Sequence, residues 1–193
     1  MGDKTVQKRA LIVERARQVF SEKGFKDVTM KDIVEACEIS RGGLYLYFES
    51  TAEIFRAVLE AENENADSVQ LDIPEGACAS DILMVFLKEQ KKEILRKKGS
   101  LATAVYEYYF EVRPPRKENP LRAQFMTGME FLTELIESGV ENGEFYCEDP
   151  AGMARTIMFS LEGLRICAQT MQISEGMVDR EMMFIMQNLV YEE

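Results

Sequence analysis

The sequence predicts an all-α protein of about nine helices. Apolar residues recur at helical spacing along most of the chain, and alternating apolar and polar runs that would indicate strands are nearly absent. Residues that favour helix ends separate the apolar segments. With 193 residues, of which 46% are hydrophobic and 30% charged, the chain can bury a core and remain soluble.

Four helices are predicted in the N-terminal third of the chain. Thr29, Ser40 and Ser50 are suitable N-caps, and Gly24 ends the first helix. The second and third helices are short and are separated by a tight turn at 38–40, which is the geometry of a helix-turn-helix. The four predicted helices span about residues 5–23, 30–37, 41–48 and 51–65.

Five further helices are predicted after a loop at 67–77, which contains Pro74 and Gly76 and marks a domain boundary. Asn119 precedes Pro120 and Asp149 precedes Pro150, and proline suits the first turn of a helix. We therefore expect one domain over residues 1–65 and a second over 66–193. The helices of the second domain are predicted at about 80–98, 101–112, 120–142, 150–171 and 174–191.

The composition excludes most enzyme designs. The chain has no histidine, which removes the serine–histidine and cysteine–histidine relays and all histidine-ligated zinc sites. An enzyme would need carboxylates or cysteines, and their spacing indicates no site. We expect neither catalysis nor a metal or cofactor. The four scattered cysteines, an N-terminus without the apolar core of a secretory signal, and no apolar run of membrane-spanning length predict a cytoplasmic protein.

Charge is distributed unevenly along the chain. The net charge of −11 argues against a nucleic-acid partner when it is taken alone. Residues 1–56, however, carry ten Lys or Arg against nine Asp or Glu, so the acidic excess lies in the remainder. This difference indicates two modules with different partners, although acidic solvated helices in the longer part would give the same distribution.

The outer face of the third helix carries residues that suit DNA. Arginine can pair with guanine, tyrosine can bond to phosphates, and adjacent glycines let the backbone approach a groove wall closely. The alternative is a helical hairpin whose tyrosines cap a hydrophobic core, and the shape of the segment leaves both interpretations open. The residues of this face are Arg41, Gly42, Gly43, Tyr45, Leu46 and Tyr47.

The segment VTMKDIVEACEISRGGLYLYFESTAEIF, residues 28–55, resembles the DNA-binding segment of the TetR family of transcriptional repressors. Ahead of it, Ala16, Phe20, Gly24 and Phe25 are similar to the first helix of that family and its Gly-Phe exit. The close resemblance covers about the first 60 residues. The matching positions are Thr29, Ile33, Ile39, Ser40, Gly42, Leu44, Tyr45, Tyr47, Phe48, Ser50, Glu53 and Phe55.

This resemblance implies an all-α homodimer with a three-helix helix-turn-helix DNA-binding domain and a helical ligand-binding and dimerisation domain. The partners it implies are double-stranded operator DNA, a small-molecule effector and a second copy of the chain, with no membrane. Leu44 and Phe48 would be core, whereas Arg41 and Gly43 would face base edges. The implied DNA-binding residues are Thr29, Arg41, Gly42, Gly43, Tyr45, Leu46, Tyr47 and Thr51.

Three residues depart from the pattern of the family. Glu38 replaces the turn glycine, Gly43 replaces a common threonine, and Thr51 replaces a lysine at the start of the fourth helix, where Glu49 adds a negative charge. Fewer cationic contacts predict a shallower salt dependence and weaker non-specific binding. The alternative function is therefore a ligand-binding or interaction protein of the same fold with lost or weakened DNA recognition.

The last two helices are predicted to form the dimer interface. The helix at 150–171 is apolar except for a narrow polar stripe, so it must be covered on two sides. The last helix presents a second apolar stripe, formed by Val178, Met182, Ile185, Met186 and Leu189. Packing inside the protomer is the alternative, and we favour a four-helix interface between two copies, as the resemblance implies.

An effector site is predicted among aromatic and methionine side chains of the C-terminal helices. Such stripes also occur in plain cores, and the family resemblance favours a cavity for a lipophilic molecule. A buried carboxylate among Glu107, Glu111, Glu130 and Glu134 would favour a cationic one, although we expect most of these glutamates to be solvated. The predicted ligand-binding residues are Tyr106, Tyr109, Phe110, Phe125, Met129, Met158 and Glu162.

Overall fold

The computed structural model describes residues 3–68, 73 and 76–190, and within these it contains nine α-helices and no strand. One isolated β-bridge joins Phe145 and Val190. A 3₁₀ turn, Arg116–Glu118, precedes α7. The helices are α1 Asp3–Lys23, α2 Met30–Cys37, α3 Arg41–Tyr45, α4 Thr51–Ser68, α5 Ala79–Ile94, α6 Ala102–Val112, α7 Pro120–Glu141, α8 Pro150–Thr170 and α9 Glu175–Gln187.

The predicted all-α fold and its nine helices are confirmed. The side chains of Asn119, Asp149 and Ser174 each accept a hydrogen bond from a backbone N–H in the first turn of α7, α8 and α9. Three helices end earlier than predicted. α3 stops at Tyr45, because Tyr47 N–H bonds to the Leu44 carbonyl at 2.9 Å and closes a tight turn. α5 ends at Ile94 and α9 at Gln187, and Tyr191 lies outside the described residues.

The helices form two compact units that interleave along the chain. Unit 1 contains α1 to α4 together with α6, and unit 2 contains α5, α7, α8 and α9. A division at residue 65, as expected from the sequence, would place α6 with unit 2. Most of the predicted boundary loop at 67–77 lies outside the described residues.

An aromatic cluster explains why α6 belongs to unit 1. The rings of Phe20 and Phe55 lie 4.7 Å apart, and Tyr108 of α6 packs edge-on against Phe25 at 5.1 Å and against Phe55 at 5.2 Å. All four side chains are buried. Aromatic pairs of this geometry add stabilisation beyond that of area burial, so α6 is an integral wall of unit 1.

The core of unit 2 is built mainly where α7 packs on α8. Leu132, Ile136, Ile157 and Leu161 are fully buried there. Gly128 allows the close approach, because a Cβ atom at that position would lie 2.8 Å from Cε of Met158. Among the described helices, none combines the length and the hydropathy that a membrane span requires.

The predicted dimer stripe of the last helix lies inside this core. Val178, Met182, Ile185 and Leu189 are buried within the single chain, and Met186 packs against them. The expectation that this stripe meets a partner is therefore wrong, since its apolar surface is already covered by unit 2. A different set of apolar residues on α8 and α9 remains exposed.

Candidate DNA-binding interface

The first helix of the helix-turn-helix is fixed by a capping box at Thr29. The Thr29 hydroxyl accepts a hydrogen bond from Asp32 N–H at 3.3 Å and donates one to Asp32 Oδ2 at 2.6 Å. The ammonium of Lys23, 2.5 Å from Asp32 Oδ1, and the Thr29 contacts hold the pKa of Asp32 well below its usual range. Because the Thr29 hydroxyl hydrogen is already donated, the backbone N–H groups that begin α2 are the donors available to a phosphate.

The turn between the two helices is built on a left-handed glutamate. Glu38 has φ of 53° and ψ of 40°, and its N–H bonds to the Glu35 carbonyl at 3.2 Å. Glycine adopts this conformation without strain, whereas a side chain costs about 1–2 kcal/mol there. Glu38, which stands where the family pattern has a glycine, therefore keeps the geometry of the turn but lowers the stability of the folded chain.

Gly42 and Gly43, in the first turn of α3, have different surroundings. Ser40 caps the helix by accepting a hydrogen bond from Gly43 N–H at 3.1 Å, and a Cβ atom on Gly43 would lie 3.1 Å from the same hydroxyl. A Cβ atom on Gly42 would meet no atom within 4 Å. A side chain at 43 would therefore require the Ser40 hydroxyl to shift by a few tenths of an ångström, whereas position 42 has room for a side chain and its bare backbone faces outward.

The outward face of α3 is a mixed polar and apolar surface. Leu44 and Phe48 are buried, as predicted, whereas Arg41 is exposed, Tyr45 is 42% exposed and Leu46 is 83% exposed. The Arg41 guanidinium lies 5.6 Å from the centre of the Tyr45 ring, within cation–π distance. Gly43 and Tyr47 are half-buried. A partner that covers this face would remove Leu46 from water and gain a preformed arginine–tyrosine pair.

The start of α4 is less favourable to phosphate. Ser50 accepts a hydrogen bond from Glu53 N–H at 3.2 Å, and Glu53 Oε2 accepts one from Glu49 N–H at 2.7 Å. Thr51 is half-buried at the first position of the helix, and Glu49 is exposed. This corner therefore presents carboxylates and a short hydroxyl side chain where the family pattern has a lysine.

A link that sequence reasoning missed ties α6 to the loop after α1. Glu107 Oε2 accepts hydrogen bonds from Phe25 N–H at 2.6 Å and from Lys26 N–H at 3.0 Å. Gly24 makes room for the carboxylate, because its φ is +79° and a Cβ atom would lie 2.6 Å from Glu107 Oε2. The glycine is visible in the sequence, but nothing local to it indicates a partner about eighty residues away.

The predicted ligand-binding residues are divided between the two units. Tyr106, Tyr109 and Phe110 lie on α6 in unit 1, and Phe110 is 69% exposed. Phe125, Met129, Met158 and Glu162 lie on α7 and α8 in unit 2.

Within unit 2 these residues have defined partners. Met158 is buried against Gly128, and the Phe125 ring lies 5.1 Å from that of Phe159. Glu162 is half-buried and forms a 2.7 Å ion pair with Arg165, which also donates a hydrogen bond to Gln90 of α5. The predicted ligand-binding residues of unit 2 are therefore aromatic, methionine and ion-paired side chains.

The expected unpaired buried carboxylate is not found. Among the described residues no charged side chain is buried; Glu111, Glu130 and Glu134 are exposed, and Glu107 holds the α1–α2 loop. As expected for most of them, these glutamates are solvated, and Glu107 is engaged with the protein itself, so none of the four supplies a buried charge for a cation. The described residues also include no cluster of three or more metal-ligating acidic or thiol side chains.

Comparisons with known proteins agree with this geometry. Residues 12–58 match the family model "Bacterial regulatory proteins, tetR family", and residues 82–179 match "Tetracyclin repressor-like, C-terminal domain". The chain is 31% identical to the HTH-type transcriptional regulator YfiR of Bacillus subtilis over 145 residues, covering 75% of this chain and 71% of that one. It is 26% identical to the HTH-type transcriptional regulator UidR of Escherichia coli, covering 79% and 76% of the two chains.

A crystal structure of a TetR transcriptional regulator from Chloroflexus aurantiacus has the same fold, with a TM-score of 0.78 at 21% identity over 96% of each chain. The matched families are DNA-binding transcription factors, which confirms the expectation that the chain is not an enzyme. The capped helix-turn-helix, the exposed face of α3 and both family matches lead to one assignment: the chain belongs to the TetR family of transcriptional regulators.

Proposed function

We propose that this regulator is a repressor that binds a near-palindromic operator as a homodimer and dissociates when it binds a lipophilic small molecule. The observation that carries the proposal is the outward face of α3. Arg41, Tyr45 and Leu46 are exposed there, while buried Leu44 and Phe48 fix the helix to unit 1. Arginine and tyrosine provide contacts to base edges and phosphates, and an apolar side chain can lie against a thymine methyl group.

A dimer through α8 and α9 is supported by apolar residues that unit 2 leaves in water. Phe159 is 61% exposed on α8, and Met183 and Phe184 are 59% and 63% exposed on α9. Ile166 and Met177 are also exposed on these helices. In the proposed complex the two α3 helices of a dimer enter successive major grooves of half-sites about 34–36 Å apart.

The effector is proposed to bind in unit 2 near Phe125, Met129 and Met158. Methionine adapts to apolar ligands of different shapes, and the Arg165–Glu162 pair offers a polar group at the same helix. The chain passes between the units three times, and α6 of unit 1 is joined to α5 and α7 of unit 2. These covalent connections are the proposed route from the effector to unit 1, where Glu107 of α6 holds the α1–α2 loop.

The experiment that tests DNA recognition is a selection from fragmented genomic DNA at near-physiological salt, followed by sequencing of the retained fragments. The proposal expects enrichment of a palindromic sequence. Arg41→Ala and Tyr45→Ala should abolish the enrichment, because both remove side chains from the exposed face of α3. Arg96→Ala is the matched control, since Arg96 is an exposed arginine of unit 2 whose partner is Glu93.

A second candidate function is a ligand-binding protein of this fold without sequence-specific DNA recognition. The exposed carboxylate of Glu49 and the absence of a lysine at Thr51 favour it. Retention of unselected fragments that disappears as salt rises, and that is the same for Arg41→Ala and wild type, would support this candidate and contradict the repressor.

A further inference from the structure

A groove of about 520 Å³ lies within unit 1, between α1 and α4 and beside the end of α3. Its floor is apolar and includes Val13 and Val58, which are 8% and 1% exposed. Ligand sites in proteins have volumes of about 300–1,000 Å³ and mostly apolar linings, so the groove has the size of a small-molecule site.

Small side chains keep this groove open. Ala10 on α1 and Ala57 and Ala61 on α4 form its walls, where larger residues would close it. The stripe of α1 that lines it runs from Thr5 to Arg17, which at a rise of 1.5 Å per residue is about 18 Å. A groove of about 520 Å³ that extends along about 18 Å of α1 is narrow, so its shape fits an elongated molecule.

The charges around the groove favour a cation. The Arg17 guanidinium is held by both oxygens of Glu62, at 2.8 Å and 3.0 Å, and the Arg9 guanidinium lies 4.9 Å from the centre of the Phe48 ring. Glu14 and Glu60 also line the groove, and Glu60 forms an ion pair with Arg56 at 3.8 Å. The charged side chains that line the groove are three carboxylates and two guanidiniums, a net charge of −1, and together with the ring of Tyr47 they favour a positive group over a negative one.

We propose that this groove binds an elongated lipophilic cation, at a site distinct from the effector site in unit 2. Leu46 and Tyr47 form one end of the groove and are also proposed to contact DNA. A molecule lying against these two side chains therefore competes with the operator directly, without any change in unit 2. The competition with the operator rests on the proposed DNA-binding function, whereas the binding of the cation to the groove is independent of it.

The test uses the full chain and decyltrimethylammonium below its micellar concentration, with decanoate as the chain-matched anion. Backbone amide shifts should lie on α1 and α4, and the cation should bind at least about tenfold more tightly than the anion, as expected for a charge contribution of about 1.4 kcal/mol. Ala10→Leu should remove binding by filling the groove. Ala123→Leu, at an exposed alanine of α7, is its control.

The charge contribution is tested with the double variant Glu14→Gln/Glu60→Gln, which should weaken the cation about tenfold or more. Glu22→Gln/Glu35→Gln makes the same change in net charge at exposed positions of unit 1 outside the groove and should leave the affinity unchanged. Equal affinities for cation and anion, shifts confined to unit 2, or binding that Ala10→Leu leaves intact would overturn the proposal.

Competition is measured with the duplex enriched in the genomic selection. A cation concentration that fills the wild-type groove should lower the affinity of wild-type protein for that duplex about tenfold or more, and Ala10→Leu, which cannot bind the cation in the groove, should lose that decrease. Because groove binding is measured without DNA, a protein that fails to select any duplex contradicts the proposed function alone. If the cation fills the groove and the affinity for the duplex is unchanged, the claim that the cation competes with the operator is overturned.

Discussion

The two compact units expose different kinds of side chain. Unit 1 presents an arginine, a tyrosine and a leucine around two glycines on α3, whereas unit 2 presents phenylalanines and methionines on α8 and α9. The first surface offers hydrogen-bond donors, positive charge and close backbone approach, and so suits a polyanion. The second offers mainly apolar area and so suits a second protein surface. The proposed function thus assigns DNA recognition and self-association to two surfaces of different chemistry.

The largest expected effect comes from placing charge on the apolar surface of unit 2. Phe184→Asp combined with Phe159→Asp should convert the dimer to a monomer, because each carboxylate would lose its water in the interface. Operator affinity should fall about 100-fold or more, since one half-site contact is lost. Sedimentation and DNA titration measure the two effects. Met84→Asp, at an exposed apolar residue of α5, should remain dimeric, and a dimeric double variant would contradict the assigned interface.

Substitutions of two leucines two positions apart should distinguish an effect on folding stability from an effect on DNA binding. Leu44 is fully buried and Leu46 is 83% exposed. Leu44→Ala should lower the free energy of unfolding by about 2–5 kcal/mol, whereas Leu46→Ala should leave it nearly unchanged and weaken operator binding. Urea unfolding and DNA titration of the same samples measure both quantities. Normal DNA affinity of Leu46→Ala would remove this side chain from the proposed interface.

The link between α6 and the α1–α2 loop should have an intermediate effect. Glu107→Ala removes the acceptor of two backbone N–H groups and should cost about 1–3 kcal/mol of stability. Hydrogen exchange at the Phe25 and Lys26 amides should become faster. Glu111→Ala, at an exposed position on the same helix, is the control. Unchanged exchange at both amides in Glu107→Ala would show that the carboxylate does not hold the loop.

A smaller change is expected from relieving the strained turn. Glu38→Gly should raise the free energy of unfolding by about 0.5–1 kcal/mol, because the strain relieved at positive φ exceeds the extra chain entropy that glycine loses on folding. Glu35→Gly, inside α2, should instead lower it by about 1 kcal/mol. A destabilised Glu38→Gly variant, measured by thermal unfolding, would show that the left-handed conformation carries no net cost.

The smallest effect is a pH dependence within unit 2. Glu144 accepts a hydrogen bond from Ser80 N–H at 3.0 Å at the start of α5, and backbone bonding there lowers the pKa of Glu144 below its ordinary 4.5. The stability from this contact is therefore fully present above about pH 4.5 and is lost as pH falls through the lower folded-state pKa. Glu144→Gln should flatten the acid limb of the stability profile, and an unchanged slope would contradict the assignment.

Sequence predicted most where local chemistry decides the structure. Thr29, Ser40 and Asn119 cap helices as expected, and Leu44 and Phe48 are core, because capping and amphipathic spacing involve residues a few positions apart. The short third helix was less predictable, since its end depends on how the turn at 46–48 carries Phe48 into the core of unit 1.

Sequence predicted least where distant residues meet. The membership of α6 in unit 1 depends on Tyr108 and Glu107 contacting residues about eighty positions earlier. The apolar stripe of α9 is predicted to form an interface and lies instead in the core of unit 2, because periodicity shows which residues share a face and not what covers it. The predicted DNA-binding and ligand-binding roles of individual residues remain proposals for the experiments above.

The most direct test of the central claim is hydroxyl-radical footprinting of the wild-type protein on an enriched palindromic fragment. If two copies present α3 to DNA, protection should fall on two half-sites on one face of the duplex, with centres separated by about one helical turn or a multiple of it. Arg41→Ala should lose both protected regions together. Protection that is continuous, independent of sequence and unchanged in Arg41→Ala would contradict DNA recognition by α3.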